Sequence, residues 1–424
     1  MNLPFSKKQL FIIGGVVVVA VVLFFVIRGA LRPTGGGTLV PFTVWGSDSS
    51  QVFEPVLSGY RGIRPEAQVT YREVHSEDLE AALLDALAEG KAPDVVMIGN
   101  RDLGRRRNLF APVPAGQLSL AQFRSLFPAV AEEDFVSDGN IYGIPLYIDT
   151  LALLYNREHF DQAAIASPPV TWEEFQEMVP KLRLLNSSGQ IIRAGAALGG
   201  SQSSIRYAAD ILNLLFLQNK TQMLSSDRTA ATFSRGPGLH AFRFYLQFAN
   251  AGSATYTWND TQDESFEAFA AGKVAMMLGY HKDIEALTRR SPFLRIGVAA
   301  APQVSATERL DYASYEGFAV LAQSKALQYG WDFAIYAATN AAAQNSYFEN
   351  TKRPPALRSV IQAKTGDPDL SVFAKAALTA RSWSAPDYDK IKTILDAAIR
   401  AVLTGELDPD RALKRAEDQV TELL

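Results

Sequence analysis

The residues best suited to chemistry are aromatic rings set beside short polar side chains. Trp45 closes a strand-like run and is followed at once by Gly46, Ser47, Asp48, Ser49 and Ser50. An indole face matches the apolar C–H face of a pyranose, and short polar side chains take its hydroxyls. Tyr147, Tyr207, Trp258, Tyr280, Tyr312, Tyr315 and Trp383 also fall where loops or strand ends are expected. Each one alone is equally consistent with core packing. Together, at separate strand ends of two lobes, they point to a ligand cleft. Asp149 raises a different question. It interrupts the apolar stretch from Tyr142 to Asn156, which also contains Pro145. A carboxylate is costly to bury unpaired, and proline is confined to strand edges, starts or bends. Either this is an edge strand with a solvated acid, or two strands meet at a mouth where something polar arrives.

Much other chemistry is absent. The 424 residues include no cysteine, which excludes disulfides, thiolate zinc sites and thiol catalysis. His75, His159, His240 and His281 lie far apart and form no metal-ligand pair, so neither a metal nor a cofactor is expected. There is no G-x-x-x-x-G-K-S/T phosphate loop, no G-x-G-x-x-G and no G-x-S-x-G elbow. The pairs Glu132-Glu133 and Glu173-Glu174 fall on expected helix faces, where solvation explains them. A net charge of −4 gives no sign of a nucleic-acid surface.

The elements that must position these groups follow from periodicity. Residues 39–45, 69–74 and 94–98 read as strands, and residues 51–62 and 76–90 read as helices. That βαβαβ order implies a parallel sheet covered on both faces, with ligands beyond the strands' carboxyl ends. A second lobe begins after Asp149. Thr171 and Glu174 form a capping-box pattern ahead of a helix, and residues 194–204 read as a loop. Further strands are expected at 273–278, 295–300 and 317–322. Helices are expected at 205–217, 237–251, 326–338, 387–404 and 408–424, the last with Asp408 as N-cap.

Residues 10–27 form an uncharged apolar run, roughly 27 Å long as a helix and close to the hydrocarbon thickness of a bilayer. Lys7 and Lys8 precede it, and Arg28 and Arg32 follow. No small-x-small cleavage site follows cleanly, so an uncleaved single-pass anchor is expected, with residues 1–9 cytoplasmic and residues 28–38 a tether.

The order of motifs resembles the extracellular solute-binding proteins of ABC importers, in the carbohydrate-binding group that includes maltose-binding protein. Phe42-Thr-Val-Trp-Gly46 opens the first strand, and Glu89-Gly-Lys-Ala-Pro-Asp-Val-Val96 resembles the family's A-x-G-x-x-P-D-V-V step. Tyr142-Gly-Ile-Pro-Leu through Leu154-Tyr-Asn156 resembles its Y-G-x-P … L-x-Y-N crossover. Pro168-Pro-Val-Thr-Trp-Glu-Glu-Phe175 and Phe269-Ala-Ala-Gly-Lys-Val-Ala-Met276 resemble P-P-x-T-W-x-E-F and F-x-x-G-K-x-A-M.

The resemblance implies an α/β, two-lobed periplasmic-binding-protein-like fold of type 2, each lobe a mixed sheet flanked by helices. It implies a first crossing between lobes after Pro145, with Asp149 facing a wet mouth, and two more crossings near 295–300 and 339–344. Lobe one would comprise 39–146 with 295–339, and lobe two 147–294 with 340–424. The ligand-binding residues it implies are Trp45, Ser47, Asp48, Asn100, Tyr147 and Asp149, with Ser201, Gln202, Tyr280, Tyr315 and Trp383. The function implied is capture of a sugar or short oligosaccharide by a monomer tethered outside the cell, and delivery to the permease subunits of an ABC transporter. Two rival classes remain open: a glycan-binding sensor or adhesin with the same fold, and a glycosidase with two facing cleft carboxylates.

Overall fold

Buried and exposed side chains alternate over the first half of Ala67–Glu73, which then runs out exposed, whereas Val95–Gly99 is almost wholly buried. That contrast places Val95–Gly99 at the centre of a sheet and Ala67–Glu73 at its edge. The computed structural model describes residues 39–383 and 385–424; the expected anchor at 10–27 and its tether lie outside the described residues. Among the described residues, no helix is long and apolar enough to cross a membrane.

The first sheet has the strand order Ala67–Glu73, Val40–Gly46, Val95–Gly99, Glu316–Val320, Ile144–Pro145. The first three strands are parallel, as the βαβαβ pattern requires. Glu316–Val320 returns antiparallel between Val95–Gly99 and Ile144–Pro145. Phe42 and Phe318 on the sheet's strands pack against Phe53, Tyr60 and Phe333 in the core below, mostly edge to face. In the second lobe, Ala152–Asn156 lies between the antiparallel strands Met276–Gly279 and Ile296–Ala300. Helices Trp172–Leu182, Ala208–Gln218, Pro237–Leu246 and Tyr388–Leu403 contribute side chains to the core around it.

The two cores meet at a third, small sheet. Asp149–Thr150 pairs antiparallel with Asp311–Ser314, which pairs in parallel with Ala380–Arg381. On either side of each strand the chain passes from one core to the other. The three crossings therefore lie side by side, and two of them differ from the expected positions. The strand at 295–300 belongs to the second sheet, where it hydrogen-bonds Ala152–Asn156; the second crossing comes later, at Asp311–Ser314. The region after 340 does not leave lobe one at once. Helix Ala341–Thr351 buries Ala343 and Tyr347 against the first core, and the third crossing falls at Ala380–Arg381.

The expected caps form. Thr171 Oγ1 accepts from the Glu174 N–H at 3.2 Å, while the Glu174 carboxylate accepts from the Val170 N–H, one residue earlier than a capping box uses. Asp408 accepts from the Arg411 N–H at 2.9 Å. Behind the Thr171 cap, Trp172 is buried edge-on against Phe175 and Phe244 and donates to Gln218 Oε1 at 2.7 Å. Trp172→Ala leaves a cavity and an unpaired amide, so it should cost about 3–5 kcal/mol. Urea unfolding of the two proteins checks this; a loss well below 1 kcal/mol would contradict the packing described.

Candidate functional site

The crossing strands hold the carboxyl end of Val95–Gly99 against the second lobe, and a cavity of about 250 Å³ lies between them. Asn100, Arg101 and Asp102 line it from lobe one, Lys282 and Tyr388 from lobe two. Asp149, Ser314, Tyr315 and Glu316 line it from the crossing strands and the start of the strand that follows, and Tyr147 and Arg353 complete the wall. A site beyond a strand's carboxyl end is where open α/β sheets place ligands.

Asp149 is buried. One oxygen accepts from the Thr150 N–H at 2.8 Å and the His281 N–H at 3.0 Å, and the other accepts from the Lys282 N–H at 3.3 Å. His281 and Lys282 open the helix His281–Arg290, so the carboxylate sits on the positive end of that helix. This resolves the question its sequence poses: the acid is neither solvated nor unpaired, and it reaches the cavity wall. Burial pushes its carboxyl up to about 7, and the two helix N–H groups and Lys282 oppose that rise.

A second cluster is built on Arg353. Its guanidinium pairs with Asp48 at 2.7 Å and lies 3.6 Å from Glu316. It also stands 4.5 Å from the centre of the Tyr147 ring. Tyr347 donates to Asp48 at 2.8 Å; Tyr147 and Ser47 donate to Glu316 at 3.0 and 3.1 Å. Burial raises the Glu316 carboxyl, opposed chiefly by Arg353. Asn100 is fixed at both ends, accepting from the Tyr315 N–H and donating to Asp134. The Tyr315 hydroxyl also donates to Asp134, at 2.7 Å.

Arg101 leaves lobe one and enters lobe two. It pairs with Asp210 at 3.0 and 3.4 Å and donates to the Ala313 carbonyl at 3.1 Å. Its guanidinium lies 4.0 Å from the Tyr388 ring centre and 4.9 Å from that of Tyr312. Lys282, by contrast, is exposed at the cavity and unpaired with any carboxylate among the described residues; its ammonium is 5.7 Å from the Tyr280 ring. Neither Ser76 nor Ser314 shares the wall with a histidine. Among the described residues no cluster of acids and histidines could hold a metal ion. The wall carries donors and acceptors in balance, with Arg101, Lys282 and Arg353 beside Asp102, Asp149 and Glu316.

Of the residues named from sequence, Asn100, Tyr147, Asp149 and Tyr315 come together at the cavity. The Tyr315 ring is buried, however, so it offers no free stacking face. Ser47 and Asp48 stand one bond behind the wall, holding Glu316 and Arg353. Tyr280 is buried and donates to Asp210 at 2.6 Å, behind Arg101. The other four lie elsewhere. Trp45 packs in the first core with Arg72 over its ring at 4.5 Å. The Ser201 N–H is bound to Asp260 and the Gln202 N–H to Asp396, within lobe two. Trp383 donates to Asn213. Arg101, Lys282, Glu316, Arg353 and Tyr388 also line the cavity, and no sequence motif singles them out. Their one visible signal is position: Arg101 directly follows the Asn100 turn, and Lys282 follows Tyr280 and His281.

Residues 65–378 match the family model described as bacterial extracellular solute-binding protein. A provisionally named binding protein of Brucella abortus (strain 2308) is 24% identical over 383 residues, covering 88% of this chain and 89% of that protein. The sugar-binding protein MalE of Xanthomonas citri has the same fold, with a TM-score of 0.77 and 18% identity over 91% of this chain and 97% of that one. So does an ABC transporter solute-binding protein of Thermotoga lettingae TMO bound with α-D-tagatose, with a TM-score of 0.72 and 19% identity over 90% and 99% of the two chains.

The raised Asp149 carboxyl has a consequence for stability. Its folded pKa lies above the unfolded value, so the folded state holds the extra proton between about pH 4 and 7. The contribution is full below that window and is lost as pH rises through about 7. The stability of the native protein relative to Asp149→Asn should therefore fall by about 2–3 kcal/mol between pH 5 and pH 8. Urea unfolding at the two pH values measures it; a difference that does not change with pH would show that Asp149 ionises normally.

Proposed function

We propose that this chain, which belongs to the bacterial extracellular solute-binding proteins, captures a sugar or short oligosaccharide between its lobes and releases it unchanged. The observation that carries the reading is a cavity walled from both lobes by balanced donors and acceptors, next to three adjacent crossing strands. A ligand that touches both lobes binds the closed form better than the open one and so draws the lobes together. The sugar-binding name of the Xanthomonas citri protein and the tagatose bound to the Thermotoga lettingae protein support a carbohydrate ligand. Lys282 supplies donors to ligand hydroxyls, Asp149 and Glu316 supply acceptors, and Asn100, Tyr147, Arg101 and Tyr388 shape the wall. The remaining residues named from sequence act behind the wall or in packing.

The apolar run at 10–27 anchors the protein as a single-pass monomer with its large domain outside the cytoplasm, and the ligand passes to an ABC permease.

Calorimetric titration against a sugar panel tests the site. Lys282→Ala removes a charged donor from an exposed position. It should weaken binding by about tenfold to a hundredfold while the melting temperature holds. Unchanged affinity would move the ligand away from this cavity. Chromatography of the bound sugar after prolonged incubation should recover it intact; cleavage that disappears in Glu316→Gln would establish a glycosidase instead. Peptides from both residues 1–8 and the large domain in a single membrane-bound species would support the anchor, and a mature terminus near Gly35 would refute it.

A further inference from the structure

We propose that Arg101 determines ligand size, limiting the cavity to a single sugar ring by filling the lobe-two end of the cleft; this rests on the sugar reading above. The cavity wall includes Arg101 and Tyr388, but not Asp210, Tyr280 or Tyr312. Those three groups lie behind the guanidinium and contact it. Arg101 is thus the partition between the cavity and a further set of polar and aromatic groups in lobe two.

That partition is firmly held. Asp210 is buried and accepts from the Tyr280 hydroxyl at 2.6 Å and from the Tyr388 hydroxyl, besides pairing with Arg101. Pushing Arg101 aside would leave this carboxylate buried without its counter-charge, which is strongly unfavourable. The loop that carries Arg101 is also pressed against lobe two. A Cβ on Gly104 would meet the Ala385 carbonyl oxygen at 2.6 Å, and Arg105 pairs with Asp387 at 3.1 Å. A longer ligand therefore meets a fixed wall.

The guanidinium also covers the rings that would extend the site. Arginine stacks on aromatic faces through its planar cation, and here it lies over Tyr388 and Tyr312. A pyranose stacks on the same faces through its C–H groups. The remaining 250 Å³ lies just below the range of about 300–1,000 Å³ usual for small-molecule sites. That is the scale of one sugar ring, and extension toward lobe two is closed by Arg101.

The test uses the full-length chain purified in detergent, titrated calorimetrically with mono-, di- and trisaccharides of glucose, galactose, mannose and xylose. The native protein should bind the monosaccharide of at least one series at least about tenfold more tightly than its trisaccharide. Arg101→Ala should erase or reverse that preference. Arg101→Ala combined with Asp210→Asn should do the same without leaving a buried charge unpaired, which keeps the test valid where the single variant fails to fold. The proposal is overturned if the native protein binds the trisaccharide as tightly as the monosaccharide. It is also overturned if a variant that melts like the native protein keeps the native preference. Binding of no series by any of the three proteins would refute the sugar reading itself, and this proposal with it.

Discussion

Among the described residues, every passage of the chain between lobes goes through one sheet of three strands, Asp149–Thr150, Asp311–Ser314 and Ala380–Arg381, none longer than four residues. Their pairing sets how the two cores face each other, and so sets the shape of the cavity between them. Asp149 binds this sheet to lobe two. Its carboxylate accepts from its own strand through Thr150 and from the start of the helix His281–Arg290. The same helix start carries Lys282 to the cavity. A change in the crossing strands therefore moves a wall residue directly, through one buried acid.

Around this frame, charge is arranged to fix geometry more than to add stability. The Arg353–Asp48–Glu316 cluster lies beside lobe one, and the Arg101–Asp210 pair spans the cleft. Buried ion pairs return little net stabilisation once their desolvation is counted, yet breaking one is costly. Both clusters thus resist rearrangement and present fixed surfaces to whatever enters. Lys282, unpaired among the described residues and exposed, is the one cation of the wall that no carboxylate holds among those residues.

Much of the fold was legible because its signals are local. The βαβαβ opening, the Thr171 and Asp408 caps and the apolar strand Val95–Gly99 each follow from residues within a few positions of one another. The crossing strands were harder to place because two to four residues carry no periodicity. The run at 295–300 has the composition of any buried strand, and only its pairing with Ala152–Asn156 assigns it to lobe two. The site was half legible for the same reason. Asp149 and Asn100 stand out as polar residues at strand ends. The partners that define the wall are remote: Arg101 and Asp210 are 109 residues apart, and Arg353 and Asp48 are 305 apart. Trp45 illustrates the opposite failure. A ring beside a Ser–Asp loop has the composition of a sugar platform, but its face is turned into the core and covered by Arg72.

The central claim is that ligand is held between the lobes, in contact with both. A crystal structure of the protein saturated with its tightest-binding sugar tests this most directly. Sugar density should fill the cavity and touch Asn100 or Asp102 on one side and Lys282 or Tyr388 on the other. Density confined to one lobe, beside Trp383 or the Ser201–Gln202 loop with the interlobe cavity left vacant, would contradict it.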